Sequence, residues 1–213
     1  MDVWGKEKET ELFDSIFNDL KRYIDLKDRL DRVKIVAGAD VSYKGNIACA
    51  CACVLDFNSL RIIEKKISQG RVTFPYLPGY LSFREAPIIL KVISKLESKP
   101  DCFIFDGNGI LHPHNLGLAT FLGIILKVPT IGCAKNLLLG RYKKPKKERG
   151  SFTYVRDKKR ILGVALRTRT RVKEIYLSCG WGVSLKKAID IVLAISKYRI
   201  PEPLSLAHAY AKF

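Results

Sequence analysis

Near the start of the chain, three strand-like runs follow one another almost without interruption, and this feature constrains the fold more than any other. Residues 34–43, 47–56 and 61–69 are rich in small and β-branched apolar side chains, and Gly45–Asn46 and Asn58–Ser59 mark the reversals between them. Such spacing predicts an antiparallel meander. Before it, Leu12, Ile16, Leu20 and Ile24 recur at helical spacing and predict an amphipathic helix over residues 8–31. After it, a loop over residues 73–79 holds Tyr76 between Pro75 and Pro78. A helix then runs from Ser82 through Leu96, its Ser82-Phe83-Arg84-Glu85 start having the spacing of a capping box. A buried strand (102–106), a helix (116–126) and a second buried strand (130–134) follow. Beyond a basic loop (140–150), strands are predicted near 152–156, 161–166 and 174–177, then a helix over 184–197 and a short final helix carrying His208. A meander followed by strand–helix–strand, with helices before and after, predicts one α/β domain over residues 1–213, its mixed sheet antiparallel on one side and parallel on the other.

Charge narrows the function. Lys and Arg number 38 against 21 Asp and Glu, a formal net charge of +17. A folded surface with that excess attracts polyanions, because neutralising phosphates releases condensed counterions. No run approaches the roughly 18 apolar residues of a membrane span. The opening MDVWGKEKETELFDSIF has acidic residues where a secretory leader has an apolar run. The expectation is a cytoplasmic nucleic-acid-binding protein with no membrane partner. Cys49, Cys51 and Cys53 alternate with alanines and share one strand face, while Cys102 and Cys133 sit in apolar runs; all five read as small buried hydrophobes. A disulfide framework is not expected, for Cys179 or the others.

Three acids stand out. Asp40 interrupts the apolar run IVAGADVSY, and an acid there requires a partner. Asp106 ends CFIFD just before a glycine, at the carboxyl end of a buried strand, where open α/β sheets place their sites. Glu85 lies in the first turn of its predicted helix. Each also has a local explanation: Glu85 completes a capping box, and Asp106 caps a turn. Brought together, they would repel one another, which makes a hard cation such as Mg²⁺ their natural partner.

The segments VAGADVSYKG, FPYLPGYLSFREAP, DGNGILHPHNLGLATFLG, PTIGCAKNLLLG and RIPEPLSLAHAYA resemble, in order, the signature blocks of the endonuclease V (deoxyinosine 3′ endonuclease) family. The similarity extends from about residue 34 to the C-terminus. It implies a ribonuclease H-like fold and hydrolysis dependent on Mg²⁺, with Mn²⁺ as substitute, at the second phosphodiester bond 3′ to inosine, leaving 3′-hydroxyl and 5′-phosphate ends. On the family pattern Asp40, Glu85 and Asp106 match the metal-binding carboxylates. His208 matches a catalytic position, where it would position the attacking water, complete the metal's outer shell or protonate the leaving oxygen. Lys135 matches a lysine that supplies positive charge where phosphate charge accumulates, and Tyr76 matches the wedge beside the lesion. His112 matches a histidine of the pocket or metal shell.

For the base, amides near Gly79 and Leu81 and around Gly107 and Gly109 answer the O6 acceptor and N1–H donor of hypoxanthine, since glycine permits close approach. The sequence departs from the family at His114, where an arginine is usual, at Phe121, where a histidine is common, and at SCGW (178–181). The basic loop RYKKPKKER suits phosphate tracking. The resemblance implies a monomer. The competing readings are a ribonuclease H-like nuclease acting on inosine-containing RNA or other structured nucleic acid, and a non-catalytic nucleic-acid-binding module, which gains nothing from acids beside phosphates.

Overall fold

A computed structural model describes residues 3–213, with side chains from Thr10 onward; Met1 and Asp2, at the head of the segment expected not to be a leader, lie outside the described residues. The elements are α1 (Val3–Leu20), β1 (Ile35–Lys44), β2 (Ile47–Asp56), β3 (Ile62–Arg71), α2 (Leu81–Ile93), β4 (Cys102–Asp106), α3 (Leu118–Leu126), β5 (Thr130–Ala134), β6 (Phe152–Asp157), β7 (Arg160–Leu166), β8 (Ile175–Trp181), α4 (Leu185–Ala194) and α5 (Glu202–Tyr210). All eight strands form one sheet in the order β3-β2-β1-β4-β5-β8-β7-β6. The predicted meander is β1–β3, and β1, β4 and β5 run parallel. The sheet does not end there: β8, β7 and β6 continue it as a second antiparallel meander, so the parallel strands are central. No helix among the described residues is long and apolar enough to cross a membrane.

The helices cover both faces. Cys51, Cys53, Ile104, Cys133 and Leu177 pack with α4 and α5, whereas Ala50, Ala52, Phe103 and Phe105 pack with α2 and α3. The alternation of cysteine and alanine in β2 thus divides between two cores, as strand pleating requires. All six cysteines are buried and free.

Some boundaries differ from expectation. The first helix stops at Leu20, with one 3₁₀ turn after it (Lys21–Tyr23) instead of continuing to residue 31. There the Asp25 carboxylate accepts bonds from Lys27 N and Arg29 Nε, an alternative to helical pairing. Backbone bonds between Gly182 and both Asp25 and Arg29 tie the segment to the end of β8. The capping box does not form. Helix α2 starts one residue earlier, with Tyr80 at its N-cap and no side-chain cap, and Ser82 is buried inside the first turn. It ends at Ile93, short of Leu96. Residues 116 and 117 stay outside α3, because Gly117 is pressed against the 107–109 turn: a Cβ there would meet the Asn108 carbonyl oxygen at 2.3 Å.

Candidate active site

The register of two parallel strands places the first pair of acids. Ala37 lies beside Phe103, Gly38 beside Ile104 and Ala39 beside Phe105. One step further, Asp40 and Asp106 leave adjacent strands on the same face. Helix α5 crosses that face over Gly38, where a Cβ would come within 2.4 Å of the Pro203 carbonyl carbon. The missing side chain lets α5 lie against β1, and His208 arrives over Asp40 with Nδ1 2.6 Å from Oδ2. Lys135, one residue beyond β5, donates from Nζ to Asp106 Oδ2 at 2.7 Å. Glu85 comes from α2 on the opposite face, and its Oε1 accepts the Tyr43 hydroxyl at 3.1 Å. Tyr43 is a neighbour that sequence reasoning missed, although its position three residues beyond Asp40 on the same strand was the available signal.

Electrostatics ties the three acids together. Burial pushes the Asp40 carboxyl above its ordinary value, and nearby Asp106 adds to this, against the lowering effect of His208. Burial pushes Glu85 up to about 7, with Asp40 and Asp106 both contributing against the Tyr43 hydrogen bond. For Lys135, burial works against the charge, but the bond to Asp106 and the field of Asp40 outweigh it and the ammonium is held above its usual value. The three carboxylates therefore sense one another, and the Lys135 ammonium bonded to Asp106 balances only one of them. As they stand, no three His, Cys, Asp or Glu side chains among the described residues form a ready-made cage for an ion. An oxygen-only donor set of this kind suits a hard divalent cation that keeps several of its own waters.

A recess of about 120 Å³ has walls that include Tyr76, Gly79, Leu81, His112 and Asn108, and Asn108 lies two residues beyond Asp106 in the chain. Tyr76 is 69% exposed at its rim. His112 is buried, and desolvation pulls its imidazole down to about 4, so it is neutral at physiological pH. Gly79 has φ +88°, a conformation that favours glycine. The amides of Gly107 and Gly109, expected to face a base, are committed elsewhere. Gly107 N bonds the Cys133 carbonyl, and Gly109 N bonds Ser178 Oγ at 2.8 Å. Gly109 is required by packing, since a Cβ would meet the Cys179 carbonyl oxygen at 1.9 Å. The residue between them, Asn108, lines the recess instead, and its buried Oδ1 has no partner among the described residues.

The departures from the family pattern are absorbed by packing. His114 pairs with Asp14 of α1, which also accepts the Tyr80 hydroxyl. Phe121 joins the ring cluster of Phe17 and Phe83, and Trp181 donates its indole N–H to the Tyr23 carbonyl.

Known proteins resemble this chain over most of its length. The family model for Endonuclease V matches residues 18–209. The chain is 44% identical to Endonuclease V of Dictyoglomus turgidum, over 98% of this chain and 94% of the relative. Its fold is similar to the crystal structure of the catalytic domain of human Endonuclease V, with TM-score 0.90 and 30% identity over 96% of this chain and 95% of that one. It is also similar to Ciona intestinalis Endonuclease V in complex with a 24mer DNA containing an inosine followed by a ribo-adenosine, with TM-score 0.86 and 28% identity over 96% of each chain. The architecture is accordingly ribonuclease H-like. With the family model matching residues 18–209 and a relative 44% identical over nearly its whole length, the chain belongs to the Endonuclease V family.

Proposed function

We propose that this enzyme cuts nucleic acid at the second phosphodiester bond 3′ to a deaminated base, with hypoxanthine in DNA as its working target. The observation that supports the reading best is the pairing of β1 with β4, which sets Asp40 beside Asp106, with Lys135 and His208 above them. Asp40, Glu85 and Asp106 would hold Mg²⁺, or Mn²⁺ in its place; when bound, the ion lowers the pKa of a water and offsets charge on the phosphate. Lys135 brings a fixed ammonium to the same edge, available to a phosphate oxygen once Asp106 has another cation to neutralise it. Asp40 fixes the His208 ring through Nδ1, leaving Nε2 on an exposed ring to hold or release a proton at the cleaved ester. Tyr76 stacks where the base leaves the helix, and the neutral His112 forms part of the wall that receives it. The chain acts as a single domain and a monomer in the cytoplasm, a reducing compartment that suits six free cysteines.

The test uses DNA and RNA, single- and double-stranded, with and without one inosine, in Mg²⁺ and in EDTA. Cleavage confined to inosine-containing strands and abolished by EDTA is the expected result. Equal cutting of inosine-free strands would remove the reading.

A further inference from the structure

Far from the acids, the edge strand β6 exposes two rings on one face, Phe152 at 40% and Tyr154 at 45%. They meet edge to face with centroids 5.7 Å apart, and the Arg156 guanidinium lies 5.5 Å from the Tyr154 centroid. The rings form one wall of a groove of about 530 Å³ that also carries Arg141 and Lys143. Immediately beside it, a second recess of about 480 Å³ is ringed by Lys144, Lys147, Arg171 and Lys173. None of these four cations is paired with a carboxylate among the described residues.

The segment that presents them is a clamped scaffold. Beneath the recess, Arg167 and Glu174, 7% and 5% exposed, form an ion pair at 2.8 Å. Glu174 accepts the Tyr142 hydroxyl at 2.9 Å, and Arg167 Nε donates to the Lys146 carbonyl at 3.2 Å. Backbone bonds from Arg171 to Lys147 and from Gly150 to Arg167 close the arrangement. The one carboxylate lining the recess is thus already neutralised, and Glu148 is the only acid in the loop itself. Holding the loop in place reduces the ordering cost of binding a polyanion.

This surface lies at the same end of the sheet as the candidate active site. Asp106 pairs with Cys133, Ala134 with Tyr176, Leu166 with Ile175 and Phe152 with Leu166, so Lys135, Glu174, Arg167 and Phe152 follow Asp106 along one rim. Four strand spacings of about 4.8 Å separate β4 from β6, roughly 19 Å. At the rise of about 3.4 Å per nucleotide of a stacked strand that is about six nucleotides.

We propose that the rim from Lys173 to Tyr154 is a second nucleic-acid contact that grips an unpaired flank of the substrate strand, its phosphates on the cationic recess and its bases on Phe152 and Tyr154. Unpaired strands offer both groups at once, whereas a duplex hides the base faces. A second copy of this chain, itself +17, is the electrostatically disfavoured occupant.

The test measures fluorescence anisotropy for inosine-free DNA carrying flanks of about three or about twelve nucleotides, single- or double-stranded, so that it does not depend on the base reading. Wild-type protein is expected to bind the long single-stranded flank about fivefold tighter or more. F152A/Y154A loses that gain and keeps its affinity for the double-stranded flank, while F152W/Y154W restores it. K144A/K147A/R171A weakens both and flattens the plot of log Kd against log salt by about 2. Cleavage of an inosine substrate at saturation is unchanged in each variant. An affinity independent of flank length, equal losses on both flanks in F152A/Y154A, or a wild-type dimer that this variant dissociates in sedimentation would overturn the proposal.

Discussion

Glu85 is held at a cost, and replacing it should reveal how large that cost is. Its carboxyl is pushed up to about 7 from 4.5, so the folded protein prefers the protonated acid and the unfolded chain the ionised one. Stability from this group is full below about pH 4.5 and is lost as pH rises through about 7. Each tenfold difference in proton affinity between the folded and unfolded chain is worth about 1.4 kcal/mol. Ionising Glu85 therefore costs up to about 3 kcal/mol at pH 8 and under about 1 kcal/mol at pH 5. Glu85→Gln removes the charge and keeps an oxygen for the Tyr43 hydroxyl. In EDTA the variant should be more stable than wild type at pH 8 by up to about 3 kcal/mol, or roughly 6–12 °C in Tm for a chain of this length. At pH 5 the two should nearly coincide. Urea and thermal unfolding at both pH values check this, and adding Mg²⁺ at pH 8 should stabilise wild type far more than the variant. A variant no more stable than wild type at pH 8, or a gap of equal size at pH 5, would contradict this account of Glu85.

Three further outcomes are expected. Asp106→Asn should reduce cleavage by a factor of about 10³ or more, because it removes a charge proposed to hold the metal, while changing substrate affinity only slightly; parallel anisotropy and single-turnover assays separate the two. Tyr76→Ala should lower the ratio of inosine-strand to plain-strand binding more than it lowers plain-strand binding, by about 1–3 kcal/mol in stacking, as competition titrations would show. Gly38→Ala should push α5 off β1, since its Cβ would fall 2.4 Å from the Pro203 backbone. A loss of about 1–3 kcal/mol in urea unfolding is expected, with cleavage falling further because His208 leaves Asp40.

What could be read along the chain depended on how local each signal was. The β1–β3 meander carries its turn residues between its own strands, so Gly45–Asn46 and Asn58–Ser59 were sufficient to locate it. Asp40 and Asp106 announced themselves as acids in apolar strands. The false capping box shows the opposite case. Ser82 and Glu85 have the right spacing, but the helix start was decided by Tyr80 turning back on Leu77 and bonding Asp14 far away in sequence. Gly107 and Gly109 misled for a related reason. A glycine marks a close approach without naming the neighbour: a Cβ on Gly109 would meet Cys179 of β8, and the Gly107 amide is taken by the Cys133 carbonyl of β5.

Order along the chain was enough to establish which residue types are available: the carboxylates in apolar surroundings, the excess of cations, the alternating faces of β2 and the succession of strands and helices. These follow from periodicity and composition, which are properties of neighbours in sequence. Packing in three dimensions was needed for the rest. It brings Glu85 to Asp40 and Asp106 from the opposite face of the sheet, gives each aspartate its own hydrogen-bonded neighbour in His208 or Lys135, and clamps the basic loop with Arg167 and Glu174. Lys135 lies 29 residues from Asp106, and His208 lies 168 residues from Asp40. Charges interact through space, so their balance exists only once strand register and helix packing have fixed the distances between them.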